Sequence, residues 1–122
     1  MASPPTKRRL GAEAEHHACQ FLQDQGLRLL EKNYYCAAGE IDLVMEHGKT
    51  IVFVEVRMRN NPRFGSAAES VDWRKQKKLQ ATAQHYLQHY PKQAKQPARF
   101  DVIAMNQTSQ TPIQWIKDAF GA

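Results

Sequence analysis

Residues 39–58, GEIDLVMEHGKTIVFVEVRM, contain the two most strand-like runs of the chain. In the first run, residues 40–46, apolar and polar side chains alternate, which is typical of a half-buried β-strand. The second run, residues 49–58, is rich in β-branched and aromatic residues, so we expect a central strand that is largely buried on both faces. His47 and Gly48 separate the two runs and predict a tight turn. The stretch therefore predicts a β-hairpin near the centre of a sheet.

The tight turn also predicts how the two strands of the hairpin pair. Val44 would lie opposite or near Val52, and Asp42 near Val54. Because successive side chains of a strand point to opposite faces, one face of the first strand would contain its alternating apolar residues. These are Ile41, Leu43 and Met45.

Helical spacing of apolar residues occurs in two other segments, residues 10–25 and 69–90. Further strand-like runs occupy residues 27–35, 98–105 and 113–120, the last of which is either a short strand or a tail. The element order is therefore α-β-β-β-α-β-β. Helices on the faces of a central mixed β-sheet are the simplest architecture that buries both helical stripes, so we predict an α/β fold.

The length and composition limit the class of protein. The 122 residues suit one domain, which we expect at residues 10–122 after a flexible, Pro-rich and basic tail at residues 1–9. No apolar run approaches the roughly 20 residues that span a bilayer, and the first residues lack the apolar stretch of a secretory signal. Cys19 and Cys36 are isolated in sequence, which is typical of reduced thiols. We therefore expect a cytoplasmic protein with no membrane partner.

The net charge of +5 has its source in the middle of the chain. Residues 57–78 contain seven basic and two acidic residues, whereas residues 1–56 contain six basic and eight acidic residues. Such a patch favours a polyanionic partner, with phosphate the commonest, although a solvated helix face that maintains solubility also explains it. Phe64 and Trp73 lie in the same segment, where their rings could stack on exposed bases or pack in the core.

The clearest candidate for a chemical site consists of three charged residues on the hairpin, Asp42, Glu55 and Arg57. Glu55 and Arg57 are two residues apart on one strand and therefore point to the same face. A twist or bulge in the hairpin would bring Asp42 to Glu55, and a divalent cation would relieve the repulsion between their carboxylates. Oxygen ligands favour Mg²⁺ or Mn²⁺ over zinc. The alternative is structural: salt bridges of Glu55 with Arg57 or Arg59, and of Asp42 with another base.

Two further charged residues interrupt apolar patterns. Lys75 is a cation in the otherwise apolar stripe of the second helical segment. Asp101 alternates with Phe100 and Val102 in a strand-like run. Because a buried acid is costly unless it is paired, we expect Asp101 to be a structural acid bonded to a neighbouring arginine rather than a metal ligand.

Several spaced motifs occur in one order along nearly the whole chain. They are GAEAEHHA at 11–18, GEIDLV at 39–44, FVEVRMR at 53–59, FG at 64–65, WRKQKKL at 73–79 and RFDV at 99–102. The set resembles the YraN family of small bacterial proteins, with Ala14 in place of the usual glycine. That family is similar in fold to the PD-(D/E)xK nucleases and, among them, to the archaeal Holliday junction resolvases. The resemblance implies a restriction-endonuclease-like fold, with a central mixed β-sheet flanked by helices.

The resemblance also implies a metal site. Asp42 and Glu55 correspond to the two metal-binding acids of the nucleases. Glu15, on the first helix, corresponds to the Glu that completes the metal shell in resolvase-like members. Glu40 belongs to the GEIDL string of the family without a fixed role in the nuclease motif, and it could support the metal ligands or act as a cap.

Arg57 stands where the nucleases have a catalytic lysine. An arginine can stabilise a negatively charged transition state, but it cannot act as a base near neutral pH. Lys75 occupies a position that is usually basic in the family and could supply the missing ammonium group from the second helix.

These features predict a metal-dependent endonuclease-like protein that binds and cleaves DNA, branched or single-stranded, with Mg²⁺ or Mn²⁺. A homodimer would suit the cutting of two strands. The alternatives are a non-catalytic nucleic-acid-binding module with a degraded site, which Arg57 favours, and a protein–protein interaction domain whose basic patch meets an acidic partner. Five basic residues would bind backbone phosphates: Arg59, Arg63, Arg74, Lys77 and Lys78.

Overall fold

The computed structural model describes residues 7–58, 71–105 and 113–121. Its elements are α1 (Lys7–Asp24), β1 (Arg28–Cys36), β2 (Gly39–His47), β3 (Thr50–Met58), α2 (Trp73–His89), a short 3-10 helix (Gln93–Lys95), β4 (Ala98–Met105) and β5 (Gln114–Phe120). The predicted α/β fold and its order, α-β-β-β-α-β-β, are confirmed and are consistent with the restriction-endonuclease-like fold. Helix α1 begins at Lys7, so it includes three residues that we predicted to lie in the tail.

The five strands form one mixed sheet in the order β1-β2-β3-β4-β5, with β3 in the centre as predicted. Strands β3 and β4 are parallel, and the other neighbouring pairs are antiparallel. Parallel neighbours need a crossover connection, which α2 provides. None of the helices in these described ranges is long and apolar enough to cross a membrane.

One helix packs on each face of the sheet. Ala18 and Leu22 of α1 belong to a buried cluster that includes Val52 and Val54 of β3. Leu79 and Tyr86 of α2 belong to a second cluster on the opposite face. The strand β3 contributes to both clusters, which explains its nearly continuous apolar sequence. Both cysteines are free and buried.

The hairpin of β2 and β3 differs from the prediction by one residue in register. Val44 pairs with Phe53, not Val52, and Leu43 pairs with Val54. The reason is the turn: His47 still pairs with Thr50, so the two-residue connection begins at Gly48. Gly48 has a φ of 61°, a value that glycine adopts without strain at the first position of a hairpin turn.

The predicted face of β2 is also wrong at Ile41. Leu43 lies in the α1-side cluster, whereas Ile41 lies in the α2-side cluster. Regular alternation would place both on one face, so the strand is irregular at Asp42. The pairing with β3 ends at Leu43, and the backbone N–H of Val56 donates to Oδ2 of Asp42 at 2.8 Å instead. This side-chain contact separates the N-terminal part of β2, residues 39–42, from β3.

Asp101 is a structural acid bonded to an arginine, as predicted. Its side chain is completely buried, and Arg99 Nε donates to Oδ1 at 3.0 Å. Two groups of β5 also donate to this carboxylate, Trp115 Nε1 at 2.9 Å and the backbone N–H of Asp118 at 2.9 Å. The β4–β5 ladder is irregular at this point, so the carboxylate supplies hydrogen bonds that the ladder lacks and attaches β5 to the sheet.

Candidate active site

The candidate site lies where β2 separates from β3. Asp42 sits at the irregular position of β2, and its carboxylate is bonded to the backbone of Val56, the residue after Glu55. The contact therefore brings one acid of the predicted pair beside the strand segment that contains the other. The predicted irregularity is present at Asp42, and the charge of Glu55 acts on Asp42, but Glu55 is not part of the three-carboxylate group described below.

Three carboxylates converge at this position. One oxygen each from Glu15, Glu40 and Asp42 lies within 4.8 Å of the other two. Glu15 reaches the group from α1, because it lies on the same helical face as the buried residues Ala18 and Leu22. We call Glu15, Glu40 and Asp42 the carboxylate group. It combines two half-buried acids with one exposed acid.

The electrostatics of the carboxylate group reflect its burial. Burial raises the pKa of Asp42 to about 8, and the negative charge of Glu55 contributes to the rise, while the N–H of Val56 opposes it. Burial also raises the pKa of Glu15, against hydrogen bonds with Asn33 and Asp42. Because Glu15 and Asp42 interact, their protons titrate as a pair, and the pair holds on to a proton near neutral pH. A divalent cation would remove the same repulsion.

Glu55 faces two cations rather than the carboxylate group. Its Oε1 lies 3.6 Å from Nζ of Lys75 and 3.7 Å from Nη1 of Arg57. Burial raises the pKa of Glu55, and the charges of Lys75 and Arg57 oppose this rise. Glu55 was predicted as a metal ligand and Glu40 as a supporting acid. Among the described residues, Glu40 rather than Glu55 completes the group of three. The salt bridge between Glu55 and Arg57, the structural alternative, is present.

Lys75 reaches the site from the first turn of α2. Asp72 caps this helix, accepting a hydrogen bond from the backbone N–H of Lys75 at 2.9 Å. Val71 and Leu79, four residues on either side of Lys75, are buried against the sheet. Their positions turn Lys75 toward the sheet, and its long side chain extends to Glu55. A cation on an apolar stripe was the sequence signal for this placement.

The basic surface is present where the structure describes it. Arg74, Lys77 and Lys78 are exposed on α2. Trp73 is 64% exposed, so its ring is not part of the core, and Nζ of Lys77 lies 4.2 Å from the ring centre. The other predicted phosphate-binding residues, Arg59 and Arg63, lie outside the described residues, as does Phe64.

Two residues of the site were not identified from the sequence. Asn33 lies between Lys32 and Tyr34, the partners of Leu43 and Ile41 in the β1–β2 pair. It has a φ of 52° and forms a hydrogen bond with Glu15. Gly39 has a φ of 151°, and a Cβ atom there would lie 3.2 Å from Oγ1 of Thr82 on α2. The available signals were an asparagine inside a strand-like run and the glycine that precedes EIDL.

The fold and the site together define a small α/β protein with an acidic centre at the split between two strands and a basic helix beside it. The family described as "Uncharacterised protein family UPF0102" matches residues 14–105, and the chain belongs to this family. The resemblance to the YraN family is thereby confirmed, since the two names denote the same family.

Relatives in several bacteria are similar to this chain over nearly their whole length. A UPF0102 protein of Pseudomonas syringae pv. syringae is 54% identical over 117 residues, which cover 94% of this chain and 95% of that protein. A UPF0102 protein of Nitrosococcus oceani is 47% identical over 118 residues, which cover 96% of this chain and 95% of that protein. A UPF0102 protein of Nitrosomonas europaea is 49% identical over 110 residues, which cover 90% of this chain and 92% of that protein.

The raised pKa of Asp42 predicts how stability depends on pH without metal. The unfolded chain loses this proton near the ordinary pKa of 3.8, whereas the folded protein keeps it up to about 8. The unfolded state therefore binds fewer protons between these values, and the free energy of unfolding should fall as pH rises through that window. Asp42→Asn should reduce this fall and make the protein more stable than wild type near pH 8, by about 1–3 kcal/mol.

Urea denaturation in EDTA across this pH range measures the effect. Asp24→Asn, which removes an exposed acid at the end of α1, is the matched control and should keep the wild-type dependence. A wild-type stability that rises over the window, or a variant with the same slope as wild type, would contradict the raised pKa.

Proposed function

We propose that the protein is a metal-dependent endonuclease that binds DNA and hydrolyses phosphodiester bonds with Mg²⁺ or Mn²⁺. The observation that best supports the proposal is the convergence of Glu15, Glu40 and Asp42, with oxygens within 4.8 Å of one another. Half-buried acids this close destabilise the folded protein unless a proton or a cation compensates them. Such a group is better explained by ligand binding than by stability.

The donor chemistry fits a hard divalent cation. All three members of the carboxylate group offer carboxylate oxygens, which suit Mg²⁺ and Mn²⁺ better than zinc. Glu15, Glu40 and Asp42 would hold the ion, with Glu55 behind them on β3. When bound, such an ion polarises a phosphoryl oxygen and lowers the pKa of an attacking water.

Two cations beside Glu55 would act on the phosphate. Lys75 and Arg57 both lie within 4 Å of the Glu55 carboxylate, which holds their charges at the edge of the site. Positive groups that are already in place stabilise the additional negative charge of a phosphoryl transition state without further reorganisation. Arg57 suits this task because its guanidinium is always charged and matches phosphate geometry. Lys75 provides the ammonium group that the lysine position of β3 lacks.

The substrate follows from the surface around the site. Arg74, Lys77 and Lys78 form an exposed basic stretch on α2, the helix that also contributes Lys75. Exposed basic side chains suit the phosphates of a nucleic acid backbone. We include branched or single-stranded DNA in the proposal, and a homodimer for substrates in which two strands are cut.

One observation favours a second candidate, a nucleic-acid-binding module without catalysis. The Glu55 carboxylate is paired with two cations, and the lysine position is occupied by Arg57. A site in which salt bridges have replaced metal ligation would retain the basic surface. If the protein is such a module, it should bind DNA in a salt-sensitive manner and cleave no DNA with any divalent cation.

Asp42→Asn tests the endonuclease proposal. The substitution keeps the size of the side chain and its ability to accept from Val56, but removes the negative charge that a cation needs. We expect metal-dependent cleavage to fall by about 100-fold or more, with binding of DNA in EDTA unchanged or stronger. The assay titrates Mg²⁺ and Mn²⁺ against labelled single-stranded, duplex and four-way-junction DNA, scoring binding and cleavage in parallel.

Asp24→Asn serves as the matched control and should cleave as wild type does. Binding without cleavage in the wild type at all metal concentrations would favour the non-catalytic module. Full cleavage by Asp42→Asn would refute the proposed site.

Lys75→Ala tests the second cation separately. It removes the ammonium group beside Glu55 and leaves Arg74, Lys77 and Lys78 in place. We therefore expect a large loss of cleavage, of the order of 100-fold, with little change in DNA affinity. Lys92→Ala, which removes an exposed lysine beyond the far end of α2, is the control for overall charge. Unchanged cleavage by Lys75→Ala would exclude a catalytic role for this residue.

A further inference from the structure

Among the described residues, three large aromatic side chains are exposed: Tyr35 at 74%, Trp73 at 64% and Tyr90 at 40%. Each large ring left in water forgoes the stabilisation that burial would supply. Tyr90 has local partners, since its ring lies 4.5 Å from the ring of Tyr86 and its hydroxyl donates to Glu31 at 3.5 Å. Tyr35 and Trp73 are the more exposed two; Tyr35 is paired with Glu40 of the carboxylate group, and Trp73 begins the helix that contributes Lys75.

Tyr35 borders the carboxylate group on the β1 side. It is paired with Glu40 across the antiparallel strands β1 and β2. Side chains directly opposite each other in such a pair project to the same face, with Cβ atoms about 5 Å apart. The exposed ring of Tyr35 is therefore a direct neighbour of one member of the carboxylate group.

Trp73 lies on α2, the helix that contributes Lys75 to the site. It is the first residue of α2 and precedes Lys75, the residue that contacts Glu55, by two positions. Lys77 lies one helical turn further on and places its ammonium group over the indole ring at 4.2 Å. Arg74 and Lys78 add exposed positive charge to the same helix. An aromatic face surrounded by cations complements a base attached to its phosphates.

We propose that Tyr35 and Trp73 stack on unpaired bases, so that the protein engages a single-stranded segment. This inference rests on the proposed function, because it names the substrate class of that same site. Bases of a continuous duplex are stacked on each other, and their faces become accessible to a side chain only after unstacking. Exposed rings beside a basic surface therefore favour single strands, gaps and flaps over intact duplex.

Charge complementarity supports this occupant over an acidic protein. The basic side chains of α2 would bind phosphates at the intervals at which a backbone presents them, while the two rings bind the bases. The ring contacts predict affinity that is independent of base sequence, because every base has an aromatic face.

Fluorescence anisotropy in EDTA tests the inference without cleavage. The probes are a labelled oligothymidylate and a labelled duplex of the same length. We expect wild type to bind the single strand more tightly, and Trp73→Ala and Tyr35→Ala each to weaken that binding by about 5- to 100-fold, the range of base–aromatic stacking. Trp73→Phe should retain most of the affinity. Tyr90→Ala, which removes the exposed aromatic residue after the other end of α2, is the matched control and should bind as wild type does.

The salt dependence separates stacking from charge. A lost stacking contact leaves the slope of log affinity against log salt unchanged, whereas a displaced Lys77 would lower it. Thermal melting of each variant checks that the fold is intact. Equal binding of both probes by wild type, or loss of affinity in Trp73→Ala together with a reduced slope, would overturn the stacking inference.

The inference and the proposed function fail in different ways. Single-strand preference that depends on both rings, without cleavage in Mg²⁺ or Mn²⁺, would leave the stacking inference standing and remove the endonuclease. Cleavage that requires Asp42 but is insensitive to both ring substitutions would support the endonuclease and remove the stacking inference. Failure of wild type to bind either probe at low salt would overturn the inference and leave the basic surface to an acidic protein partner.

Discussion

The hydrogen bond from the backbone N–H of Val56 to the carboxylate of Asp42 is the contact from which the rest of the site follows. In a regular hairpin, the ladder of β2 and β3 would continue past Leu43. Here the ladder ends, and a side chain accepts at 2.8 Å from the N–H beyond its end. The N-terminal part of β2 is thereby held apart from β3, and the half-buried carboxylate of Asp42 lies where the two strands separate. Its raised pKa is the energetic consequence, caused first by burial and then by the negative charge of Glu55.

The sheet divides the site between its two faces. Helix α1 covers one face and contributes Glu15 to the carboxylate group, whereas α2 covers the other and contributes Lys75 to Glu55. Each helix is positioned by its own buried cluster, and both clusters share β3. Negative and positive groups therefore approach the split from opposite sides. In the proposed endonuclease, this separation would let a cation and a phosphate occupy adjacent positions without direct competition for the same side chains.

Local patterns predicted the elements but not the geometry at Asp42. The β-branched run of residues 49–58 indicated the central strand, and helical spacing indicated both helices. The register was wrong by one residue because it depended on which two residues form the turn after His47. The face of Ile41 was wrong because a contact between residues 14 positions apart interrupts the alternation. Among the described residues, Glu40 rather than Glu55 joins Glu15 and Asp42. The motif resemblance indicated these acids, but only the three-dimensional arrangement sorts them into groups.

Diffraction at the manganese absorption edge, from crystals of the protein soaked in Mn²⁺, tests the carboxylate group directly as a cation site. We expect an anomalous peak coordinated by Glu15, Glu40 and Asp42, and its disappearance from crystals of Asp42→Asn treated in the same way. Soaking in EDTA beforehand excludes a contaminating ion. An anomalous map without a peak at this position under saturating Mn²⁺, or with the only peak at surface residues elsewhere, would contradict a metal centre at the split between β2 and β3.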